Sequence, residues 1–280
     1  MKKAAFLLCF ILCSAPVLAE EKPRHPAPSN KKEPSVRAFA PGEKLTFSLS
    51  WSNFVDVGTA VMEVRSATET NGKEAYRLIC SCRSEGILEN LYPIRVEAES
   101  LISAVDMRTI SFSLKNNYGG KQRKRSLEFN REKHTVLYRP DEDPTETHSV
   151  PDLVQDSLSS LYYVRTWDSF VVGKPMKMTV FEKGKTWSLD VHTLGRERIK
   201  TPIGEFDTIK IRTHPLYEGV FPNKGAIDIW LTDDARKIPV LMKSKVTVAK
   251  VGVGSVVATL TKLEPLKKEP DAQEQPKTTH

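Results

Sequence analysis

Residues 59–83 read TAVMEVRSATETNGKEAYRLICSCR and carry the signal that decides the fold. Two stretches with extended character, 59–67 and 73–83, flank the pair Asn71-Gly72. Asn-Gly between two such stretches is the strongest short signal for a β-hairpin, because both turn positions require a positive φ. On the second stretch one face is formed by Tyr76, Leu78, Cys80 and Cys82. The sequence therefore predicts an antiparallel strand pair with one buried face.

The same period of two extends over most of the chain. Upstream, the apolar residues Leu45, Phe47, Leu49 and Trp51 alternate with polar ones, which is typical of a half-buried strand. Comparable stretches occupy residues 110–115, 124–130, 176–182, 186–193, 196–201, 208–213, 226–232, 240–248 and 255–263. Roughly a dozen short strands at regular spacing indicate an antiparallel sandwich, barrel or strongly curled sheet. We predict an all-β fold, either a large antiparallel curled sheet or an open barrel.

One segment departs from alternation. Between residues 150 and 167 the apolar positions follow a helical face, formed by Leu153, Val154, Leu158, Leu161, Tyr162 and Val164. Pro151 and Asp152 suit the start of a helix, with Asp156 in an early turn and Arg165 near the end. A single amphipathic helix in a β protein has to bury its apolar stripe, and we expect it on the concave face of the sheet.

The two ends of the chain lack the features of the folded part. Lys2 and Lys3 precede an apolar run at 4–13, and small residues stand before Glu20, which predicts a cleavable signal peptide over 1–19. Leucines precede both leader cysteines, so we favour ordinary cleavage over lipid anchoring. We predict a disordered spacer at 20–37, one β domain at 38–265 and a disordered tail at 266–280. The expected location is the periplasm.

Composition excludes several functions. Removing residues 1–19 takes away two lysines and no acid, so the formal net charge falls from +7 to +5, too small an excess for a nucleic-acid binder. The histidines are isolated in sequence, so we predict no metal site and no cofactor. Cys80 and Cys82 are two positions apart on a predicted strand, a poor geometry for a disulfide, and we expect small buried hydrophobes.

Acidic residues beside an arginine form the nearest approach to a catalytic motif. Asp233 and Asp234 precede Arg236 after a predicted strand, and with Asp156 they are the only carboxylates we nominate for an acid–base pair. Asp is equally a default turn residue that accepts backbone N–H bonds. We favour the structural interpretation, in which Asp156, Asp233, Asp234 and Arg236 form caps, turns and ion pairs and Gly204 forms a hairpin turn. The sequence thus favours a protein without catalytic activity.

A basic cluster surrounds the turn at Gly119-Gly120. It consists of Lys115, Lys121, Arg123, Lys124 and Arg125. Several cations at one hairpin tip give the hypothesis of contact with an anionic surface, such as lipid head groups or lipopolysaccharide phosphates. The alternative, which we favour, is that the lysines only keep an exposed strand from pairing with other chains.

Four motifs together resemble a known family. They are PGEKLTF at 41–47, DSLSSLYY at 156–163 followed by Arg165, TPIGEFDT at 201–208, and WLTDD at 230–234 followed by RKIPV at 236–240. In this order and spacing, from about Phe39 to Leu263, the chain resembles the bacterial envelope family known as domain of unknown function 3108. The resemblance implies a periplasmic all-β protein, akin to the open half-barrel of lipoprotein carriers of the Lol type. It implies no reaction and no catalytic residues.

Three hypotheses for function follow. The first is a binding module whose concave face takes a lipid, an acyl chain or a lipoprotein; its candidate lining residues are Trp51, Tyr92, Tyr162, Tyr163 and Trp230. The second is a polysaccharide-binding or carbohydrate-active envelope protein, which needs facing carboxylates. The third is an envelope scaffold that binds another protein through a sheet edge. We favour the binding module.

Overall fold

Strand pairing in the structure follows the alternation of the sequence. A computed structural model describes residues 38–69, 71–215, 226–248 and 251–264. Within that part of the chain, one sheet of fifteen strands is formed. The strands are β1 (Lys44–Trp51), β2 (Val55–Thr68), β3 (Glu74–Ser84), β4 (Ile94–Ser103), β5 (Thr109–Tyr118), β6 (Lys121–Asn130), β7 (Thr135–Arg139), β8 (Glu146–Ser149), β9 (Val154–Gln155), β10 (Met176–Glu182), β11 (Lys185–Thr201), β12 (Gly204–Pro215), β13 (Ile227–Thr232), β14 (Pro239–Val248) and β15 (Val251–Glu264).

The sheet is a meander whose first and last strands lie next to each other in its middle. β1 pairs with β2 on one side and with the last strand, β15, on the other. The spatial order is β8-β7-β6-β5-β4-β3-β2-β1-β15-β14-β13-β12-β11-β10-β9, and all pairs are antiparallel except β9 with β10. The predicted all-β fold with a large curled antiparallel sheet is confirmed.

Side chains bring the two edges of this sheet together. The ring of Phe181 on β10 lies 6.4 Å from Phe129 on β6, 6.3 Å from Tyr138 on β7 and 5.4 Å from His148 on β8. Above them Arg125 and Glu182 form an ion pair at 2.7 Å. These contacts join β6, β7 and β8 near one edge of the sheet to β10 near the other edge. Aromatic packing between the two edges therefore completes the curl of the sheet.

Two short helices interrupt the strands. Helix α1 (Gly86–Leu91) connects β3 to β4, and α2 (Ser159–Arg165) lies between β9 and β10. The predicted helix over 150–167 exists only in its second half, since residues 154–155 pair with β10 as a strand. Its buried residues include Tyr162, Val164 and Arg165. A helical face was thus correctly predicted, whereas Val154, counted in the same helix, belongs to the sheet.

The register defines two ends of the curled sheet. At the end that we call the helix end lie the starts of β1 and β5, helix α2 and the turn between β13 and β14. At the opposite end, the rim end, lie the β1–β2 turn, helix α1 and the β5–β6 turn. Between the two ends the inward side chains form one continuous apolar core.

Two further expectations differ from the structure or fall outside it. Residues 186–193 and 196–201, predicted as separate strands, belong to the single strand β11, which continues through a bulge between Thr193 and Gly195. The predicted signal peptide, spacer and tail at 1–19, 20–37 and 266–280 lie outside the described residues. Cys80 and Cys82 on β3 are not joined in a disulfide.

Candidate functional site

Helix α2 is attached to the sheet through one buried carboxylate. Asp156 Oδ1 accepts the backbone N–H groups of Leu158 (2.7 Å) and Ser159 (3.0 Å), which satisfies the start of the helix. Its Oδ2 accepts the hydroxyls of Ser100 on β4 (2.6 Å) and Thr109 on β5 (3.1 Å). Asp156 is fully buried. The carboxylate therefore joins the helix to two strands and has no access to a substrate.

A buried ion pair holds the other end of α2. Arg165 donates from Nη1 and Nη2 to the two carboxylate oxygens of Glu43, at 2.7 and 2.9 Å, and both residues are buried. Arg165 also donates to the carbonyl oxygens of Ala38 and Arg236. A buried charge is tolerated when it is paired and its remaining hydrogen bonds are made, as they are here.

Aromatic rings enclose this ion pair. The Arg165 guanidinium lies 5.2 Å from the ring centre of Phe39 and 5.3 Å from that of Tyr162, and the two rings meet edge to face at 4.9 Å. Burial raises the pKa of the Tyr162 hydroxyl well above its usual value. The helix end is therefore a closed, dry assembly of charge and aromatic rings.

Three of the four motifs behind the family resemblance meet at this assembly. The first supplies Glu43, the second supplies Asp156 and Arg165, and the fourth supplies Arg236, whose Nη2 donates to Glu43 at 3.2 Å. The third forms the β11–β12 hairpin around Gly204, and its Asp207 carbonyl accepts the N–H of Asp233. What the motifs share is the anchoring of α2 and of the turns beside it.

The nominated acid–base residues lie in turns and ion pairs. Asp234 Oδ1 accepts the backbone N–H groups of Arg236 (2.9 Å) and Lys237 (3.0 Å), as a turn residue does. Asp233 forms an ion pair with Arg196 at 2.7 Å. Since Asp156 is buried and fully hydrogen-bonded, these three carboxylates do not face a common cleft.

The five aromatic residues nominated for a cavity have different surroundings. Tyr162 is buried in the α2 assembly, and Tyr163 packs edge to face on Trp167 at 5.8 Å, where burial raises its pKa. Trp230 shares with Lys210 and Arg212 the outer face of the sheet, where its Nε1 donates to Glu197. Trp51 ends the inner face of β1, and Tyr92 ends α1. Only these last two lie at the rim end.

Both rim-end aromatics cover a glycine. A side chain on Gly254 would come within 2.5 Å of the Trp51 ring, and one on Gly119 within 2.6 Å of the Tyr92 ring. The Tyr92 contact is reinforced by a 2.9 Å hydrogen bond from the Gly119 N–H to the Pro93 carbonyl. The turn at the basic hairpin tip is therefore attached to the end of α1.

Strand alternation divides the basic cluster between two faces. On β6, Lys121, Arg123 and Arg125 continue the inward column of the buried Leu127, whereas Lys124 and its β5 partner Lys115 point outward. Arg125 is nearly buried in its pair with Glu182, whereas the other four cations are exposed. The cluster is therefore two pairs of exposed cations, on opposite faces of one hairpin.

Burial along the inward columns falls off toward the rim end. On β5, Phe112 and Leu114 are buried, but Asn116 and Tyr118 are half-buried. On β6 the column runs from buried Leu127 to exposed Arg123. The concave face is thus packed solid at its middle and reaches solvent at the rim.

Helix α1 exposes the residues that a surface helix normally buries. Ile87 is 72% and Leu91 77% exposed, and Phe54 in the neighbouring β1–β2 turn is 90% exposed. We call Phe54, Ile87 and Leu91 the apolar rim. An exposed apolar patch edged by polar residues marks an interaction surface in soluble proteins.

Polar contacts fix α1 in this orientation. Glu89 accepts two hydrogen bonds from Arg95, at 2.6 and 2.7 Å, and one from the Ser84 hydroxyl. The Arg95 guanidinium, followed by the Ser84 hydroxyl, lowers the pKa of Glu89 to about 2. At the start of the helix, the Glu85 N–H donates to the Val57 carbonyl at 3.0 Å. Leu88 and Glu89 of α1 therefore face the protein, Leu88 against the core and Glu89 against Arg95, whereas Ile87 and Leu91 face solvent.

Sequence reasoning missed the apolar rim. Residues 86–91, GILENL, have apolar positions at 87, 88 and 91, one helical turn apart, before Pro93. That spacing could have indicated a short helix, but six residues give a weak periodic signal. The exposure of a single apolar residue also cannot be predicted from the sequence, because burial depends on the tertiary structure.

A small cleft lies at the helix end. It is bordered by Arg108, Arg131, His134 and Asp152 and encloses about 10 Å³, which is space for about one water molecule. No group of three His, Cys, Asp or Glu side chains in the described ranges could hold a metal ion. Neither of the described helices is long and apolar enough to cross a membrane.

Comparison with known proteins places the chain in a class and then in a family. The structure is similar to a β-barrel-like protein of DUF1849 from Brucella abortus, with a TM-score of 0.51 and 10% identity over 79% of this chain and 96% of that one. A candidate exported protein with a YmcC-like fold from Bacteroides fragilis aligns with a TM-score of 0.30 and 10% identity, over 81% and 97%. The fold is therefore of the β-barrel-like class.

The family follows from the sequence itself. The family model for DUF3108, a protein of unknown function, matches residues 46–261. The chain belongs to the DUF3108 family, which confirms the resemblance carried by the four motifs. A search of curated proteins finds no match.

Proposed function

We propose that this chain is an exported, non-catalytic envelope protein that binds lipid at its rim end. The observation that carries the proposal is the apolar rim, in which Phe54, Ile87 and Leu91 face solvent on a helix and a turn held by polar contacts. Moving such side chains out of water is favourable by about 1.5–3 kcal/mol each when they become fully buried. A lipid surface or an acyl chain provides that environment.

The other features of the chain agree with this role. Residues 1–19 have the pattern of a secretory leader, which delivers a protein to a compartment bounded by membranes. The carboxylates that could have supported catalysis are used in caps and ion pairs. Because the middle of the sheet is packed, lipid is expected at the rim rather than deep in the core.

Vesicle flotation tests the proposal. The exported protein is mixed with phosphatidylcholine vesicles, and a rim variant, Phe54→Ser/Ile87→Ser/Leu91→Ser, is compared with the wild type. We expect the rim variant to lose at least about tenfold in affinity, because three apolar contacts are removed.

A matched control comes from the opposite end. Val105 is exposed in the β4–β5 turn, and Val171 and Val172 are exposed just after Phe170, whose ring lies 6.0 Å from Lys237 Nζ of the β13–β14 turn at the helix end. The variant Val105→Ser/Val171→Ser/Val172→Ser removes three apolar side chains and should bind as the wild type does. Equal losses in the two triple variants, or a wild type that stays in the protein fraction, would contradict the proposal.

Lipid that copurifies with the protein gives a second test. The protein is isolated from a periplasmic extract, weighed by native mass spectrometry and extracted with organic solvent. A bound lipid or acyl species that is absent from the rim variant supports the proposal. If the wild type and the rim variant bind the same species equally, the lipid site lies outside the rim.

A further inference from the structure

The inward face of the basic β5–β6 hairpin carries residues suited to binding a lipid head group. Arg123 and Lys121 stand on the inward column of β6, one and two steps from the paired Arg125 respectively, and both are exposed. We call Lys121, Arg123 and Asn116 the inner lip. Asn116 is the cross-strand partner of Arg123, so the two side chains lie side by side on the same face.

The two pairs of exposed cations differ in their acidic neighbours. On the outer face Lys115 stands opposite Glu97 of β4, and the backbone N–H of Lys124 donates to Asp141. On the inner face Arg125 already uses Glu182. In the part of the chain that the structure describes, neither Lys121 nor Arg123 belongs to an ion pair. Lys115 and Lys124 likewise belong to no ion pair in the described ranges, so the inner lip is set apart by its position beside the apolar rim and not by a lack of acidic partners.

Asn116 adds polar capacity at the same place. Its Oδ1 position is buried and makes no hydrogen bond. A side-chain amide carries two N–H donors and an acceptor, and a rotation about its last bond exchanges them. Beside a guanidinium, which offers donors in a planar fork, such an amide suits the oxygens of a phosphate.

The inner lip adjoins the apolar rim. The Gly119 N–H donates to the Pro93 carbonyl, and Tyr92 lies on Gly119, so the hairpin tip and the end of α1 are in contact. Leu91 immediately precedes Tyr92. Exposed cations and exposed apolar side chains are thus neighbours at one rim, which is the arrangement that an anionic amphiphile requires.

We infer that the inner lip binds the anionic head group of a membrane lipid whose acyl region contacts the apolar rim. The inference rests on the proposed function and names its ligand class. Arg123 and Asn116 contact the head-group phosphate, and Lys121 lies at the open end of the same column. Lys115 and Lys124 take no part, although they belong to the same hairpin and carry the same charge.

Two double variants with the same change in net charge test the inference. Lys121→Gln/Arg123→Gln alters the inner lip, and Lys115→Gln/Lys124→Gln alters the outer face. Each is floated with phosphatidylcholine vesicles and with vesicles of equal parts phosphatidylcholine and phosphatidylglycerol. All four side chains are exposed, so both variants should fold, as circular dichroism melting can verify.

The inner-lip variant should lose affinity for the phosphatidylglycerol vesicles by on the order of fivefold per cation. Its affinity for phosphatidylcholine vesicles should stay closer to that of the wild type. The outer-face variant should lose less than about twofold on either vesicle. The exchange Lys121→Arg/Arg123→Lys should keep the preference for anionic vesicles, because charge is retained on the same face.

The outcomes separate the inference from the proposed function. Equal losses in the two double variants would show that only general surface charge matters, which overturns the inference. A wild type that binds both vesicles equally well also overturns it, yet leaves lipid binding by the rim intact. Failure to bind either vesicle defeats the proposed function itself. Inorganic phosphate that binds the protein alone as tightly as the anionic vesicles do would assign the inner lip to free phosphate.

Discussion

The two ends of the curled sheet differ in which side chains they bury and which they expose. At the helix end, charged and polar side chains are buried, and Asp156, Arg165 and Glu43 satisfy one another or backbone groups. At the rim end, the side chains of Phe54 and Leu91 are in water. A buried charge with a hydrogen-bonded partner holds the surrounding residues in one geometry. An exposed apolar side chain costs free energy and does not stabilise the fold. The helix end therefore serves the fold, and the rim end is the part left for a partner.

Breaking the buried ion pair should have the largest effect of any change at either end. Arg165→Met leaves the Glu43 carboxylate buried with only the half-exposed Arg236, and removal of one partner of a buried pair costs about 3–5 kcal/mol. Urea denaturation measures the loss. Arg198→Met, which breaks the exposed pair with Asp207 at the same end, is the control and should cost far less. Similar values for the two variants would mean that burial adds nothing to the contribution of the Arg165–Glu43 pair.

The hairpin tip offers an intermediate test at the rim. Gly119 and Gly120 both have positive φ, at 57° and 87°, so an alanine at either position is strained by about 1–2 kcal/mol. Only at position 119 would the added carbon also meet the Tyr92 ring. Gly119→Ala should thus be less stable than Gly120→Ala by about 1 kcal/mol, as thermal melting can show.

The same comparison extends to lipid binding. Because Tyr92 joins the tip to α1, its displacement in Gly119→Ala should weaken vesicle binding, whereas Gly120→Ala should bind normally. If the two glycine variants bind vesicles equally well, the contact between the hairpin tip and α1 has no role in lipid binding at the rim.

The smallest effect concerns the polar side of α1. Arg95 and Ser84 depress the pKa of Glu89 from 4.5 to about 2, so the ionised carboxylate stabilises the folded state above the unfolded pKa. That contribution should be lost as the pH falls from about 4.5 through about 2. Thermal melts of the wild type and Glu89→Gln across this range check the sign, and the two curves should converge at the acid end. Curves that stay parallel would mean that α1 is held by other contacts.

Most of the fold could be predicted from the sequence, for local reasons. Alternation and hairpin signals such as Asn71-Gly72 depend on neighbouring residues, and β2 and β3 pair on either side of that turn, with Thr68 opposite Glu74. The helix was overestimated because Val154 fits a buried position in a helix or in a strand, and only pairing with β10 decides between them. The bulge that makes β11 one strand is likewise a matter of register with β12.

The candidate site was less predictable. Asp156 and Arg165 stand out in the sequence, but their partners Ser100 and Glu43 are distant along the chain, so their roles emerge only in three dimensions. The basic cluster was visible as a run of charges, yet its division into two faces and the pairing of Arg125 with Glu182 depend on the curl of the sheet. The apolar rim depends on the orientation of α1, which Arg95 determines from the next strand.

Hydrogen–deuterium exchange in the presence of lipid tests the central claim most directly. The protein is exchanged alone and with vesicles of equal parts phosphatidylcholine and phosphatidylglycerol, and the peptides are compared by mass spectrometry. Our account predicts slower exchange in the β1–β2 turn, in α1 at 86–91 and in the β5–β6 turn, with no change in the helix-end turns at 103–109 and 232–239. Protection that appears at the helix end, or nowhere, would contradict the assignment of lipid binding to the rim.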